Sequence, residues 1–393
     1  MSNPNLPPEL LDLIFNLLHD DIVTLKKCCR VSKSWVPGTR RHLFADVKFR
    51  SLKQLEAWRN AFPGNPTFPA CYTKSLCIGY LGKVATADAQ EGGWIPTFSH
   101  VRHLELDVDN PEICLTPFHG FSAIKSLHVG FTCSPCSIFN LIYSFPLLED
   151  LSLAFFFSIF NAADFGESPA TPQPPSSPAF TGSLSLSVYP QGRIGPIINW
   201  LLLLPGGLRF RELKLTLGIR EDVLLINALV ERCSSTLESL AIDYKVHGMP
   251  VSHLLDIDGL LLFTDEPQGP IDLSKATKLR NAAFVCNLDP RLITSTLRTI
   301  SRKHANFQQL SINSTNTRRC LYFFAPAKVK FLLGQGAYMW WLDLDRFLAQ
   351  LHELHSIRMK VFSGDTLVVR SSVEYLLPEV TTRGIIELGS YLS

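Results

Sequence analysis

Apolar and polar residues follow two different periods along this chain, and the change falls just after Phe44. From Leu6 to Phe44 apolar residues recur every three to four positions, the spacing of amphipathic helices. From about Cys71 onward the period shortens to two in segments of the form L-x-x-L-x-L, which predicts strands with alternate residues facing inward.

The helical stretch divides into three. Pro7 and Pro8 suit a helix start, where the first N–H groups lack internal partners in any case. Leu10, Leu11, Ile14, Leu17 and Leu18 then form one apolar stripe, widened by Leu13 and Phe15. Asp20 and Asp21 end that helix and can cap the next, where a carboxylate also complements the helix dipole. The second helix turns Ile22, Leu25, Cys28 and Cys29 inward. Ser32 is a cap for a third helix that holds Trp35, with Pro37 near its first turns and Arg40-Arg41-His42 as its solvated end. Helices this short have too little interior to cover so many apolar side chains, which predicts a partner.

A strand-like piece, residues 45–49, leads into a linking helix. Ser51 with Gln54 three residues later reads as a capping box, Leu52, Leu55, Trp58 and Phe62 form the apolar face, and Pro63-Gly64-Asn65-Pro66 ends it. The strand-like units follow at residues 74–78, 101–106, 124–129, 148–153, 183–188, 213–217, 237–242, 279–284, 307–312 and 357–362. Their separation is roughly 23 to 30 residues, longer where loops intervene, which fits leucine-rich repeats. Helical pieces at 138–143 and 223–230 would return the chain between strands, and one such unit must stack on its neighbours to bury its apolar face. Leu342, Leu344, Phe347, Leu348, Leu351 and Leu354 form a further helical stripe, and the last residues read as a tail. The run ESPATPQPPSSP, residues 167–178, cannot continue a sheet or helix and reads as a solvent insert near 166–180. Within it Ser168, Thr171 and Ser177 each precede a proline and are candidates for proline-directed phosphorylation. A second insertion is expected between Met249 and Pro270.

Composition narrows the function. The chain has 393 residues, 46% of them hydrophobic and 18% charged, ample for a large core. Its formal net charge of +2 gives no reason to expect a nucleic acid or membrane partner. No apolar run approaches the ~20 residues of a membrane span, and the N-terminus carries no basic segment or small-residue cleavage site, so a secretory signal is not expected. A cytoplasmic or nuclear setting follows, in which the 10 cysteines stay reduced. Cys133 and Cys136 make a CxxC without a second pair at zinc-site spacing, and the thiols read as small buried hydrophobes.

The opening Leu6-Pro7-Pro8-Glu9-Leu10-Leu11, the Ile14 and Leu17-Leu18 spacing, Leu25, and the closing Cys29-Arg30-Val31-Ser32-Lys33-Ser34-Trp35 resemble the F-box, in particular that of large fungal families. The match covers about residues 5 to 46 and departs from the pattern at Gly38, a poor helix former directly after Pro37. The resemblance implies a Skp-type adaptor as partner and, through it, a cullin in an SCF ubiquitin ligase. Carried over by position, the adaptor-binding residues are Leu6, Pro7, Leu10, Leu11, Ile14, Leu17, Leu18, Leu25, Val31 and Trp35.

No phosphate-binding loop, dinucleotide fingerprint or nucleophile elbow occurs. In His352-Glu353-Leu354-His355 the histidines are three apart, where the glutamate-bearing zinc helix needs four, and Asp343 and Asp345 read as a solvated helix face. The expected fold class is therefore α+β: a small N-terminal three-helix F-box (1–46), a linking helix (47–70) and an irregular leucine-rich-repeat-like α/β solenoid (71–393). The expected function is that of a substrate-recognition subunit with no catalysis, no cofactor and no metal, binding an unknown target protein. The alternative is an F-box scaffold acting outside ubiquitin transfer.

Overall fold

A computed structural model describes residues 6–62, 67–79, 95–108, 115–131, 135–155, 180–188, 194–204, 207–217, 223–244, 269–285, 290–313, 326–361 and 366–390. Described residues up to Ala154 belong to one compact unit and those from Phe180 onward to a second. Ser168, Thr171 and Ser177, Cys133, and nearly all of the segment between Met249 and Pro270 lie outside the described residues.

The first unit opens with α1 (Pro8–Leu17), α2 (Ile22–Cys28), a single 3-10 turn (Lys33–Trp35) and α3 (Val36–Leu43). Then come β1 (Asp46–Phe49), α4 (Leu52–Ala61), α5 (Thr67–Ala70), β2 (Ser75–Ile78), β3 (His103–Val108), β4 (Ser126–Phe131), α6 (Pro135–Tyr143) and β5 (Asp150–Phe155). The second unit contains β6 (Ser183–Val188), α7 (Gly195–Leu202), β7 (Glu212–Leu217), α8 (Val223–Cys233), β8 (Ser239–Tyr244) and β9 (Asn281–Val285). It ends with α9 (Pro290–Leu297), β10 (Gln309–Asn313), α10 (Pro326–Gln350), β11 (Ser356–Val361), α11 (Thr366–Leu376), α12 (Pro378–Thr382) and β12 (Ile386–Ser390).

The expected class, α+β with an irregular leucine-rich-repeat-like solenoid, is corrected by the strand pairing. In the first unit β1 to β4 pair in parallel in chain order, and in the second β6 to β12 do the same, with helices between the strands, which is an α/β arrangement. Alternating apolar positions identify strands, but they carry no record of which edges pair, and the pairing defines the class. The C-terminal residues read as a tail supply the last strand, β12, paired to β11 from Ile357↔Ile386 onward. Gly384, at φ 70°, turns the chain into that strand, a conformation glycine adopts without strain.

Register explains the core. In the first unit Val47, Leu76, Leu104 and Leu127 align across β1 to β4, as do Phe49, Ile78, Leu106 and Val129, and all are buried. In the second unit Leu184, Leu213, Leu240, Ala282, Leu310 and Ile357 form the corresponding rib. Intervening positions such as Glu105, His128, Lys214 and Arg358 face outward. A recurring local bond accompanies most of the pairings: one carbonyl accepts two consecutive N–H groups at the next strand's start. Lys74 O receives Arg102 N and His103 N, and Glu238 O receives Arg280 N and Asn281 N.

The second unit ends on a reciprocal clasp. Asp345 on α10, read from the sequence as solvated, is buried, and its carboxylate accepts the Glu379 and Val380 N–H groups at 2.9 and 3.0 Å, capping the start of α12. In return Arg383, just past α12, donates to the carbonyls of Leu348, Ala349, Leu351 and Leu354 at the end of α10. Asp345 satisfies N–H groups that the start of α12 leaves unpaired, and Arg383 gathers the carbonyls at the end of α10. Asp343 does face solvent, where both its carboxylate oxygens accept from Nη2 of Arg298, at 2.8 and 2.9 Å.

Candidate docking face of the N-terminal helices

Local rules place α1 to α3. Pro8 takes the first helical position, and Pro7 O accepts from Leu10 N and Leu11 N. Asp21 caps α2, accepting from Thr24 N at 2.9 Å and Thr24 Oγ1 at 2.6 Å. Ser32 caps the 3-10 turn, so α3 begins only at Val36, later than the sequence pattern implies. Thr39 is fully buried; its hydroxyl sits 2.9 Å from Cys29 Sγ and bonds the Trp35 and Val36 carbonyls.

The interior is small. Phe15, Leu25 and Cys28 are its buried members, with Leu11, Leu18, Trp35 and Leu43 packed partly against them. Phe15 meets Trp35 edge to face at 5.8 Å between ring centroids. Phe15, which from sequence only widened the stripe, is thus the centre of the cluster. At 100° per residue Leu11, Phe15 and Leu18 lie on one side of α1, and Leu10, Leu13 and Leu17 lie on another.

That second row is uncovered. Leu10, Leu13 and Leu17 are exposed, Leu17 to 81%, and Leu6, Ile22, Val23 and Val31 join them. Most exposed large apolar side chains among the described residues fall between Leu6 and Val31. The sequence-derived set therefore separates. Leu6, Pro7, Leu10, Leu17 and Val31 are exposed, and Ile14 is half-buried between the two rows. Leu11, Leu18 and Trp35 pack against the interior, and Leu25 lies wholly inside it. Leu13, Ile22 and Val23 are exposed apolar residues outside that set, and Ile22, expected to turn inward with Leu25 and Cys28, is corrected to an outward position at the first residue of α2. For Leu13 the signal was present in the sequence, since a short helix that is apolar on two sides must turn one of them outward.

Elsewhere among the described residues no reactive constellation forms. Burial, reinforced by Glu105, pushes the Cys77 thiol up to about 11, away from thiolate character, and burial pushes the Cys233 thiol up to about 12. His304 is buried with Nε2 2.8 Å from Leu273 O and Nδ1 3.1 Å from Ser301 N, a histidine spent on holding loops together. Among the described residues no three His, Cys, Asp or Glu side chains are grouped to hold a metal, and no helix is long and apolar enough to cross a membrane.

No family model matches the chain, and no curated protein matches it. Among solved structures it is similar to a chain in the crystal structure of the Rad7 and Elc1 complex in yeast, at 16% identity and a TM-score of 0.40, over 93% of its own length and 85% of that chain.

Proposed function

We propose that this protein is a non-catalytic F-box subunit that docks a Skp-type adaptor through its N-terminal helices, and through it a cullin, while the strand-bearing body holds a target protein in an SCF ubiquitin ligase. The observation that carries this reading is the uncovered row Leu10, Leu13 and Leu17, backed by a separate inward row on the same helix. A helix needs only the inward row to fold, so the outward row has no use within these three helices. Covering one leucine on docking contributes about 1.5–3 kcal/mol, so a few such anchors outweigh the cost of association. The protein's contribution is then positional: it raises the effective concentration of a target lysine near the ligase, in the cytoplasm or nucleus.

The test is titration of the full-length protein with a purified Skp-type adaptor. Leu10→Asp with Leu17→Asp should weaken binding by more than about 100-fold, the equivalent of two lost leucine contacts, with an unchanged thermal melt. Equal affinity of the variant and wild type would overturn the reading. Loss of target turnover when residues 1–46 are deleted would separate ligase function from a scaffold acting outside ubiquitin transfer.

A further inference from the structure

Charge is segregated along the N-terminal helices. Residues 6–21 hold four carboxylates (Glu9, Asp12, Asp20 and Asp21) and no Lys or Arg, whereas residues 22–45 hold six Lys and Arg residues and no carboxylate. The basic half also carries a groove of about 440 Å³ between α2 and α3. Ile22, Val36, Leu43 and Phe44 supply its apolar lining, and Lys26 and Arg40 its cationic side chains. The groove has a rigid back, because Phe44 is held edge to face by Trp58 and Phe62 of and beside α4, at 5.7 and 5.9 Å. Burial, and then the positive charges of Arg41 and Lys74, keep His42 below its ordinary pKa.

We infer that this groove receives an acidic amphipathic segment of the docked partner, its apolar side chains on Ile22, Val36, Leu43 and Phe44 and its carboxylates on Lys26 and Arg40. The inference rests on the docking reading above and specifies the chemistry of the partner there. An apolar lining between cations suits a chain that alternates apolar and acidic groups. Nucleic acid would place phosphates against Leu43 and Phe44 without base stacking. A bilayer is too flat to enter a concavity between two helices. Cations at a groove edge act chiefly on association rate and salt dependence, and anchoring is left to the apolar contacts.

The experiment uses the full-length protein and a purified Skp-type adaptor at about 50 mM and about 500 mM KCl, a range over which screening of exposed charges changes strongly. Wild-type affinity should fall with salt. Lys26→Glu with Arg40→Glu should weaken binding by about tenfold or more at low salt and abolish the salt dependence. Lys26→Gln with Arg40→Gln should give an intermediate result and serves if the charge-reversed protein misfolds. Carbodiimide cross-linking of the complex should join Lys26 to Asp or Glu of the adaptor. Binding with no salt dependence, no effect of either variant and no Lys26 cross-link would overturn this inference and leave the docking reading standing. Failure of wild type to bind the adaptor at all would remove both. Capture of phosphatidylserine vesicles by wild type, lost in the charge-reversed variant, would overturn it by assigning the groove to a lipid surface.

Discussion

A Cβ atom on Gly38 would lie 2.7 Å from Cδ2 and Cε2 of Phe15, so α3 approaches α1 this closely only because position 38 has no side chain. A glycine in a helix ordinarily costs about 1 kcal/mol relative to alanine. Here that cost secures the Phe15–Trp35 contact and the closure of a very small interior. The position where the chain departs from the F-box pattern is therefore a packing requirement. Gly38→Ala should destabilise the three helices by about 1–3 kcal/mol, since overpacking exceeds the gain in helix propensity. Phe15→Leu should cost less in the Gly38→Ala protein than in wild type. Hydrogen exchange of peptides spanning residues 8–43 reads both effects, and strict additivity of the two substitutions would contradict the contact.

Leu17 and Leu25 share a residue type and a helical setting, and they should respond oppositely to truncation. Leu25 is wholly buried and Leu17 is 81% exposed. Leu25→Ala should cost about 2–5 kcal/mol of local stability through the cavity it leaves. Leu17→Ala should leave stability within about 0.5 kcal/mol of wild type and act only on adaptor binding. Chemical denaturation followed by hydrogen exchange, alongside titration with the adaptor, separates the two; a stability loss in Leu17→Ala would mean that its side chain is covered by the protein itself.

The sequence carried the strands well because each buried rib needs an apolar residue at every second position, as Leu184 and Leu186 or Leu310 and Ile312 display. It did not carry the pairing, since nothing in Leu76 states that Leu104 lies beside it, and the fold class was misread for that reason. β12 was missed because Ile386 and Leu388 are only partly covered and alternate too briefly to stand out. On α1 the apolar positions were legible, but their division between an inward and an outward row was not: both rows hold leucines, and only the placement of Phe15 distinguishes them. Asp345 resembled its neighbour Asp343 because its partners, Glu379 and Val380, lie more than thirty residues further on.

The cap on α2 gives a pH prediction. The hydroxyl and then the backbone N–H of Thr24 hold the Asp21 carboxyl below its ordinary value. A carboxylate whose pKa is lower in the folded state binds its proton more weakly than in the unfolded chain. Its stabilising contribution is fully present above the unfolded value of about 3.9 and is lost as pH falls through the folded one. Carboxyl carbon chemical shifts of aspartate-labelled protein should show Asp21 titrating low, and Thr24→Val should return it part of the way, leaving the backbone bond in place. An unchanged titration in Thr24→Val would assign the shift to another group.

The clasp between Asp345 and Arg383 should behave as a unit. Asp345→Ala removes the acceptor for two backbone N–H groups, and Val380 is wholly buried, so water cannot replace it. Hydrogen bonds to a charged group contribute about 1.5–3 kcal/mol each, and a loss of about 3 kcal/mol or more is expected from urea denaturation. Asp345→Asn keeps one acceptor oxygen but turns an amide N–H toward a backbone N–H, and it should fall between alanine and wild type. Arg383→Ala uncaps the end of α10 from the other side. Either change frees α12 from α10 and slackens the turn at Gly384 that delivers the chain to β12. Once α12 is loose, the second substitution has less left to disrupt, so the double variant should lose less than the sum of the single losses. Hydrogen exchange across residues 376–390 should rise in each single variant to nearly the level of the double. Full additivity, or protection of β12 that survives Asp345→Ala, would show that the two caps act separately and that β12 is held by its pairing with β11 alone.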